Sequence, residues 1–193
     1  MKKHIILLLY AGTIMNFTGC ATGLQRTNLD DFQEKKIPSM GIRMELPKKQ
    51  ERFTVFDNTI YVKNTDSKGL IFSLHPIYPS GLFAEPLYLI NFSLVLMHKK
   101  AYLDYLKKRH VENGDRRFED TKFHNQITEF KQTHPNGRTP LLCFRKDYKN
   151  EKTGEVVLAA ATYLDNYYGN IKHKKEDIKA IKRILNSIRF LKP

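Results

Sequence analysis

Leu141-Leu142-Cys143-Phe144-Arg145-Lys146-Asp147-Tyr148 and Glu155-Val156-Val157-Leu158-Ala159-Ala160-Ala161-Thr162-Tyr163-Leu164 are the two runs whose reading decides the fold. Both are rich in aliphatic and aromatic residues, and the second adds the β-branched Val156, Val157 and Thr162. They are joined through Asn150-Glu151-Lys152-Thr153-Gly154, a polar stretch with a glycine at its end. Apolar runs of this length bounded by turn chemistry predict a β-hairpin.

Downstream, Ile178, Ile181, Ile184, Leu185 and Ile188 recur on one stripe, with Glu176 and Asp177 ahead of them and Lys182 and Arg183 near the end. That spacing and charge order predict an amphipathic helix oriented with its dipole. Upstream, Leu87 to Met97 and Gly69 to Ser73 read as strands. The segment His75 to Pro86 between them holds Pro76, Pro79, Pro86 and Gly81, which predicts a loop. Lys99 to Val111 places Tyr102, Leu103, Leu106 and His110 at helical spacing, and Asn113-Gly114-Asp115 stops it. Phe118 to Lys131 is read as irregular structure leading into a strand that ends before Pro135.

Nearer the start, Ile42, Met44 and Leu46 alternate with Arg43 and Glu45, the period of a half-buried strand. Arg52 to Phe56 and Thr59 to Lys63 flank Asp57-Asn58 and predict a second hairpin. Asn28 as N-cap, Asp30 and Asp31 behind it and Lys35 and Lys36 at the end predict a short helix over 28–36. The sum is one α+β domain, a mainly antiparallel sheet packed by two or three helices. At 193 residues and 41% apolar content the core needs no disulfide or metal to hold it.

The first twenty residues are an address. Lys2 and Lys3 precede an apolar stretch from Ile5 to Met15, and Phe17-Thr18-Gly19-Cys20 follow. This resembles the signal peptide and lipobox of bacterial lipoproteins, with Phe17 in place of the usual Leu. The resemblance implies cleavage after residue 19 and acylation of Cys20, so that residues 20–27 are a lipidated cysteine with a short tether and 28–193 the domain. Ala21 stands where an Asp would retain such a protein in the inner membrane, which implies the outer membrane, facing the periplasm. Cys143 is then the remaining thiol, and its apolar neighbours mark it as a buried structural residue.

Gly41-Ile42-Arg43-Met44-Glu45-Leu46-Pro47 and Arg183-Ile184-Leu185-Asn186-Ser187-Ile188-Arg189-Phe190 resemble the opening strand and the ending of PsbP-like domains in small bacterial lipoproteins. That resemblance implies an α-β-α sandwich and a binding or assembly role, with no catalytic residues to carry over.

The common hydrolase and nucleotide signatures do not occur. His75, His98, His110, His124, His134 and His173 are too scattered for metal ligands on one helix or strand face. His110 with Glu112, or Glu119-Asp120 with His124, could be taken for acid/base pairs, but solvated loop residues account for them as well. The helix dipole accounts for Glu176-Asp177. The expectation is a chain without catalysis, metal or cofactor.

Charge is more informative. The formal net charge is +13, and 172–192 alone holds eight basic residues against two acidic ones. An exported, lipidated protein does not routinely meet nucleic acid, so the expected partner is an acidic protein captured by steering, beyond the membrane reached through Cys20. The candidate contact residues are Tyr78 and Phe83 of the loop read over His75 to Pro86, Tyr167 and Tyr168 of the loop read over Asp165 to Asn170, and the Lys107-Lys108-Arg109 cluster. Packing of those rings on the domain's own surface, and a basic face that merely solubilises, are the alternatives. The most concrete expectation is an immunity lipoprotein that inhibits a toxin, for example a type VI secretion effector. Behind it stand an envelope-maintenance or assembly lipoprotein that binds lipid, polymer or an outer-membrane machine, and a cell-wall or lipid hydrolase.

Overall fold

The computed structural model describes residues 21–49, 52–58, 67–79, 87–104, 123–133, 140–165 and 171–192. They form an α+β fold built mostly of antiparallel sheet. The strands are β1 (Ala21–Leu24), β2 (Phe32–Ile37), β3 (Ile42–Pro47), β4 (Arg52–Asn58), β5 (Ser67–Pro79), β6 (Leu87–Met97), β7 (Thr128–Thr133), β8 (Pro140–Lys149), β9 (Val156–Leu164) and β10 (Arg189–Phe190). Residues 99–104 are helical (α1), and α2 spans Lys174–Ser187.

The large sheet has the order β1-β5-β6-β9-β8-β7, with β4 also on β5, and every pairing is antiparallel. The β8–β9 hairpin is in the predicted place, with Phe144 opposite Ala161 and Tyr148 opposite Val157. A second sheet of order β10-β3-β2 lies over the same core.

The core follows from alternation. Leu70, Phe72 and Leu74 of β5, Phe92 and Leu94 of β6, Ala159 and Ala161 of β9, and Leu142 and Phe144 of β8 share one face of the large sheet. Met44 and Leu46 of β3 and Ile181, Ile184 and Leu185 of α2 close over it. Each of the Leu, Ile, Phe and Met side chains among them, fully buried, contributes about 1.5–3 kcal/mol. The opposite face is more polar, with Ser73 donating to Asn91 at 2.8 Å. Cys143 also points there and is buried, and burial pushes its thiol up to about 11.

Several expectations are corrected. The helix predicted over 28–36 is instead an Asx turn, in which Asn28 Oδ1 accepts the Asp30 amide at 2.7 Å, followed by β2 paired along its whole length with β3. Side-chain capping at a turn satisfies the backbone as well as helix capping does, and tertiary pairing decides between them. Asp57 and Asn58 are not a turn but the last residues of β4, opposite Lys68 and Ser67. Thr59 to Lys63 lie outside the described residues. The helix read over Lys99 to Val111 is described only as far as 104, where Leu103 is 46% exposed rather than buried.

The loop read from His75 is strand as far as Pro79. Pro76 is tolerated there because β4 leaves β5 at Ser73 and β1 joins it at Ile77, so its missing N–H falls in the gap between two short neighbours. His75 has φ 57, the left-handed region a non-glycine rarely occupies. The kink inverts the alternation, since the inward positions are even through Leu74 and Ile77 is inward beyond it.

The stretch after Cys20 also differs from a free tether. Ala21 pairs with Pro79 and Leu24 with Ile77, and the Gln25 amide donates to the Pro76 carbonyl at 3.0 Å. The chain joins the sheet directly.

Candidate functional site

Two features of α2 define the candidate site, a buried polar cluster beneath its first turn and a basic outer face with an adjoining groove. Asp177 falls on the same helical stripe as Ile181 and Ile184 and is carried into the interior with them. Its Oδ1 lies 3.1 Å from His75 Nε2 and also accepts a hydrogen bond from the Arg26 guanidinium. The left-handed backbone of His75 turns the ring toward α2.

The tautomer of His75 follows from its neighbours. The Thr27 amide donates to Nδ1 at 2.8 Å, so that nitrogen carries the lone pair and Nε2 carries the proton that faces Asp177. The His75 amide in turn donates to Thr27 Oγ1 at 3.2 Å. Both ring nitrogens thus meet partners within the fold.

Burial by itself would raise the Asp177 carboxyl, but the hydrogen bonds from His75 and Arg26 and the positive charge beside it outweigh burial and hold it below the usual carboxylate range. Burial first, then the charge of Asp177, pushes the Tyr163 hydroxyl up. Arg26, Thr27, His75 and Asp177 thus fasten the segment after Cys20 to β5 and to the start of α2. A smaller cluster of the same kind lies at the β7 edge, where the Arg145 guanidinium grips Asp147 with two contacts of 3.0 Å. There the His124 amide donates to Asp147 at 3.1 Å, and His124 Nδ1 meets Thr128 Oγ1 at 2.8 Å.

On its outer face α2 presents Lys175, Lys179, Lys182 and Arg183. Lys182 reaches Glu129 at 3.2 Å, and Arg183 both pairs with Glu45 at 2.7 Å and stacks 4.0 Å from the Phe32 ring centroid. Lys175 and Lys179 have no ion pair among the described residues. Beside this face a groove of about 370 Å³ runs between α2 and the strand edge, lined by Asn125, Gln126, Lys146, Lys182 and Asn186 among others. Lys146 donates to Asn186 Oδ1 at 2.8 Å, and burial together with the charge of Arg189 lowers its pKa. The Tyr148 hydroxyl donates to the Leu185 carbonyl and pins the far end of α2 to the sheet.

Of the contact residues expected from sequence, Tyr78 lies in β5, opposite Gly23, not in a loop. Phe83, Lys107, Lys108, Arg109, Tyr167, Tyr168 and Cys20 lie outside the described residues, as do His110, Glu112, Glu119 and Asp120. The buried cluster was missed from the sequence because Glu176-Asp177 reads as helix-dipole chemistry. Its signal was present, since Asp177 sits four residues before Ile181 on the apolar stripe.

The chain matches no protein-family model, no curated protein and no solved structure.

Proposed function

We propose that this chain is a lipid-anchored protein of the outer membrane, facing the periplasm, that binds an acidic protein partner without catalysis, most concretely as an immunity protein against a toxin such as a type VI secretion effector. The observation that carries the reading is the basic outer face of α2 beside a polar groove. The helix is fixed at both ends, by Asp177 and by Tyr148, so its cations are held in place before a partner arrives. A preorganised field of one sign raises association rates with a surface of the other sign. His75, the histidine best placed to resemble an acid/base residue, is fully engaged by Thr27 and Asp177. The lipobox-like Phe17-Thr18-Gly19-Cys20 supports the anchor.

The test is a pull-down from secreted and envelope fractions with a bait that retains Ala21 to Thr27, because β1 and Arg26 belong to the fold. A stoichiometric secreted protein that is toxic in the periplasm when this chain is absent is the expected result. Recovery of resident envelope components alone would overturn the immunity role.

One observation favours the second reading, an envelope-maintenance or assembly lipoprotein. The two stretches that resemble PsbP-like domains meet in the fold, β10 pairing with β3 through Arg189 opposite Arg43 and Phe190 opposite Ile42. On that reading the fold is an α-β-α sandwich. Envelope-biogenesis partners in the same pull-down would favour it.

A further inference from the structure

Ala21, the residue immediately after Cys20, is the end of a rung of the large sheet, opposite Pro79 at the very end of β5. From there every residue to Thr27 is engaged or adjacent to one that is, through Leu24 on Ile77, Gln25 on Pro76, Arg26 on Asp177 and Thr27 on His75. A single residue spans about 3.6 Å at most, so an acyl group on Cys20 has no slack with which to stand away from the fold.

The same end of the sheet carries the start of α2. Ile77 at the end of β5 pairs with Leu87 at the start of β6, Ile90 pairs with Tyr163 near the end of β9, and Asp165 just beyond binds Lys174, the first residue of α2. The helix then runs away from this end, since its Leu185 carbonyl meets Tyr148, which pairs with Val157 at the opposite end of the sheet. Side chains of a helix lean toward its N-terminus, so the lysines of the first turn lean toward the Cys20 end. Lys174 is neutralised by Asp165, and His173 meets Glu176 at 3.0 Å. Lys172 and Lys175 are exposed and have no ion pair among the described residues.

We propose that the end of the sheet at which β1 begins, at Ala21, is the membrane-contacting surface of the protein, with Lys172 and Lys175 set against anionic lipid headgroups. The proposal rests on the reading of Cys20 as the acylated residue. It divides the cations of α2 by height. Lys172, in the short 3-10 turn Ile171–His173 ahead of α2, and Lys175 in the first turn of α2 serve the bilayer, and Lys179, Lys182 and Arg183 stand farther off, where a soluble partner reaches them. Each headgroup-facing lysine favours the docked orientation about fivefold.

Residues 21–192 contain the whole described fold, so a chain that starts at Cys20 keeps all of these contacts. Such a chain is coupled through Cys20 to a maleimide lipid on vesicles, and lysine acetylation is followed by mass spectrometry. Cys143 is spared by its burial. Lys172 and Lys175 are expected to react about threefold or more slowly on vesicles containing phosphatidylglycerol than on phosphatidylcholine alone. Lys149 and Lys152, at the opposite end of the sheet, should be unchanged. A flexible Gly/Ser insertion between Cys20 and Ala21 should restore the reactivity. Uniform reactivity in both vesicle types, or protection at Lys149 and Lys152 instead, overturns the proposal. Palmitate labelling that Cys20→Ser abolishes tests the acylation separately, and its failure would strike that reading without altering the vesicle result.

Discussion

His75 Nε2 lies 3.1 Å from Asp177 Oδ1, and neither side chain has any exposed surface. The two residues are 102 positions apart, and their contact closes the fold between the middle of β5 and the first turn of α2. Arg26 joins the same carboxylate from the other side, so one buried charge coordinates three segments. Removing one partner of a buried charged group costs far more than removing an exposed pair, because the groups left behind stay desolvated.

Asp177→Asn is therefore expected to lower stability by about 3 kcal/mol in urea denaturation. Glu34→Gln breaks an ion pair of similar length with Arg43, 2.9 Å, on the surface. That variant should lose at most about 0.5 kcal/mol. Equal losses in the two variants would refute the burial argument.

Acid should act through the same carboxylate. Asp177 is held below the usual carboxylate range in the folded state, so the unfolded chain takes up its proton first as pH falls. Its stabilising contribution is complete above about pH 3.9, and it disappears as pH drops through the lower folded value. The urea midpoint of the wild type should fall more steeply with acidity below that pH than the midpoint of Asp177→Asn. Parallel profiles would show that other carboxylates govern acid unfolding.

Deletion of Ala21 to Thr27 removes β1, Arg26 and the amide that fixes the His75 tautomer. If this stretch were only a tether, the loss would be nil. The structure predicts a fall of several kcal/mol, roughly the 3–5 kcal/mol associated with uncovering a buried charge. Amide exchange should quicken at Ile77 and in the first turn of α2 before it does so at the β8–β9 hairpin.

The hairpin, β6, β3 and the stripe of α2 were legible in the sequence because their periodicity and their tertiary environment agree. Phe144 and Ala161 are apolar, β-compatible and inward-facing all at once. The N-terminal elements were not legible, because local chemistry there points one way and pairing the other. Asn28, Asp30 and Lys35 spell a capped helix. Strand β3 offers a full ladder to 32–37, and Phe32 finds a lid in Arg183 and Phe53 a cation in Lys35 at 3.7 Å.

The prolines misled in the same way. Pro76 and Pro79 read as loop residues, and only the handover from β4 to β1 along one edge of β5 makes a proline acceptable in mid-strand. With β5 truncated in the reading, His75 fell outside the fold and its partner Asp177 had nothing to bind. The basic character of α2 was legible, whereas its division into neutralised and unneutralised cations depends on Asp165, Glu129 and Glu45, which are distant in sequence.

Cys143 gives a chemical test of the sheet's second face. Burial pushes its thiol up to about 11. In a Cys20→Ser background at pH 8, its reaction with a disulfide reagent should be at least about 100-fold slower in the native state than in urea, and should track the unfolding rate. Rapid native labelling would place the thiol at the surface.

The outer face of α2 makes a kinetic prediction for the partner recovered by pull-down. Lys179 is exposed and has no ion pair among the described residues, so reversing its charge disturbs the field without breaking an internal contact. Steering acts on encounter rather than on residence, which assigns the effect to the association rate. Lys179→Glu should slow association by about threefold to tenfold at low ionic strength, with the difference vanishing as salt shortens the screening length. Lys149→Glu, next to Tyr148 but on the other face of the sheet and paired with Glu151, carries the same charge change away from that helix. A matching slowdown in Lys149→Glu would mean that net charge alone governs capture and that the helix face has no special part in it. An unchanged association rate in Lys179→Glu would remove α2 as the docking surface altogether.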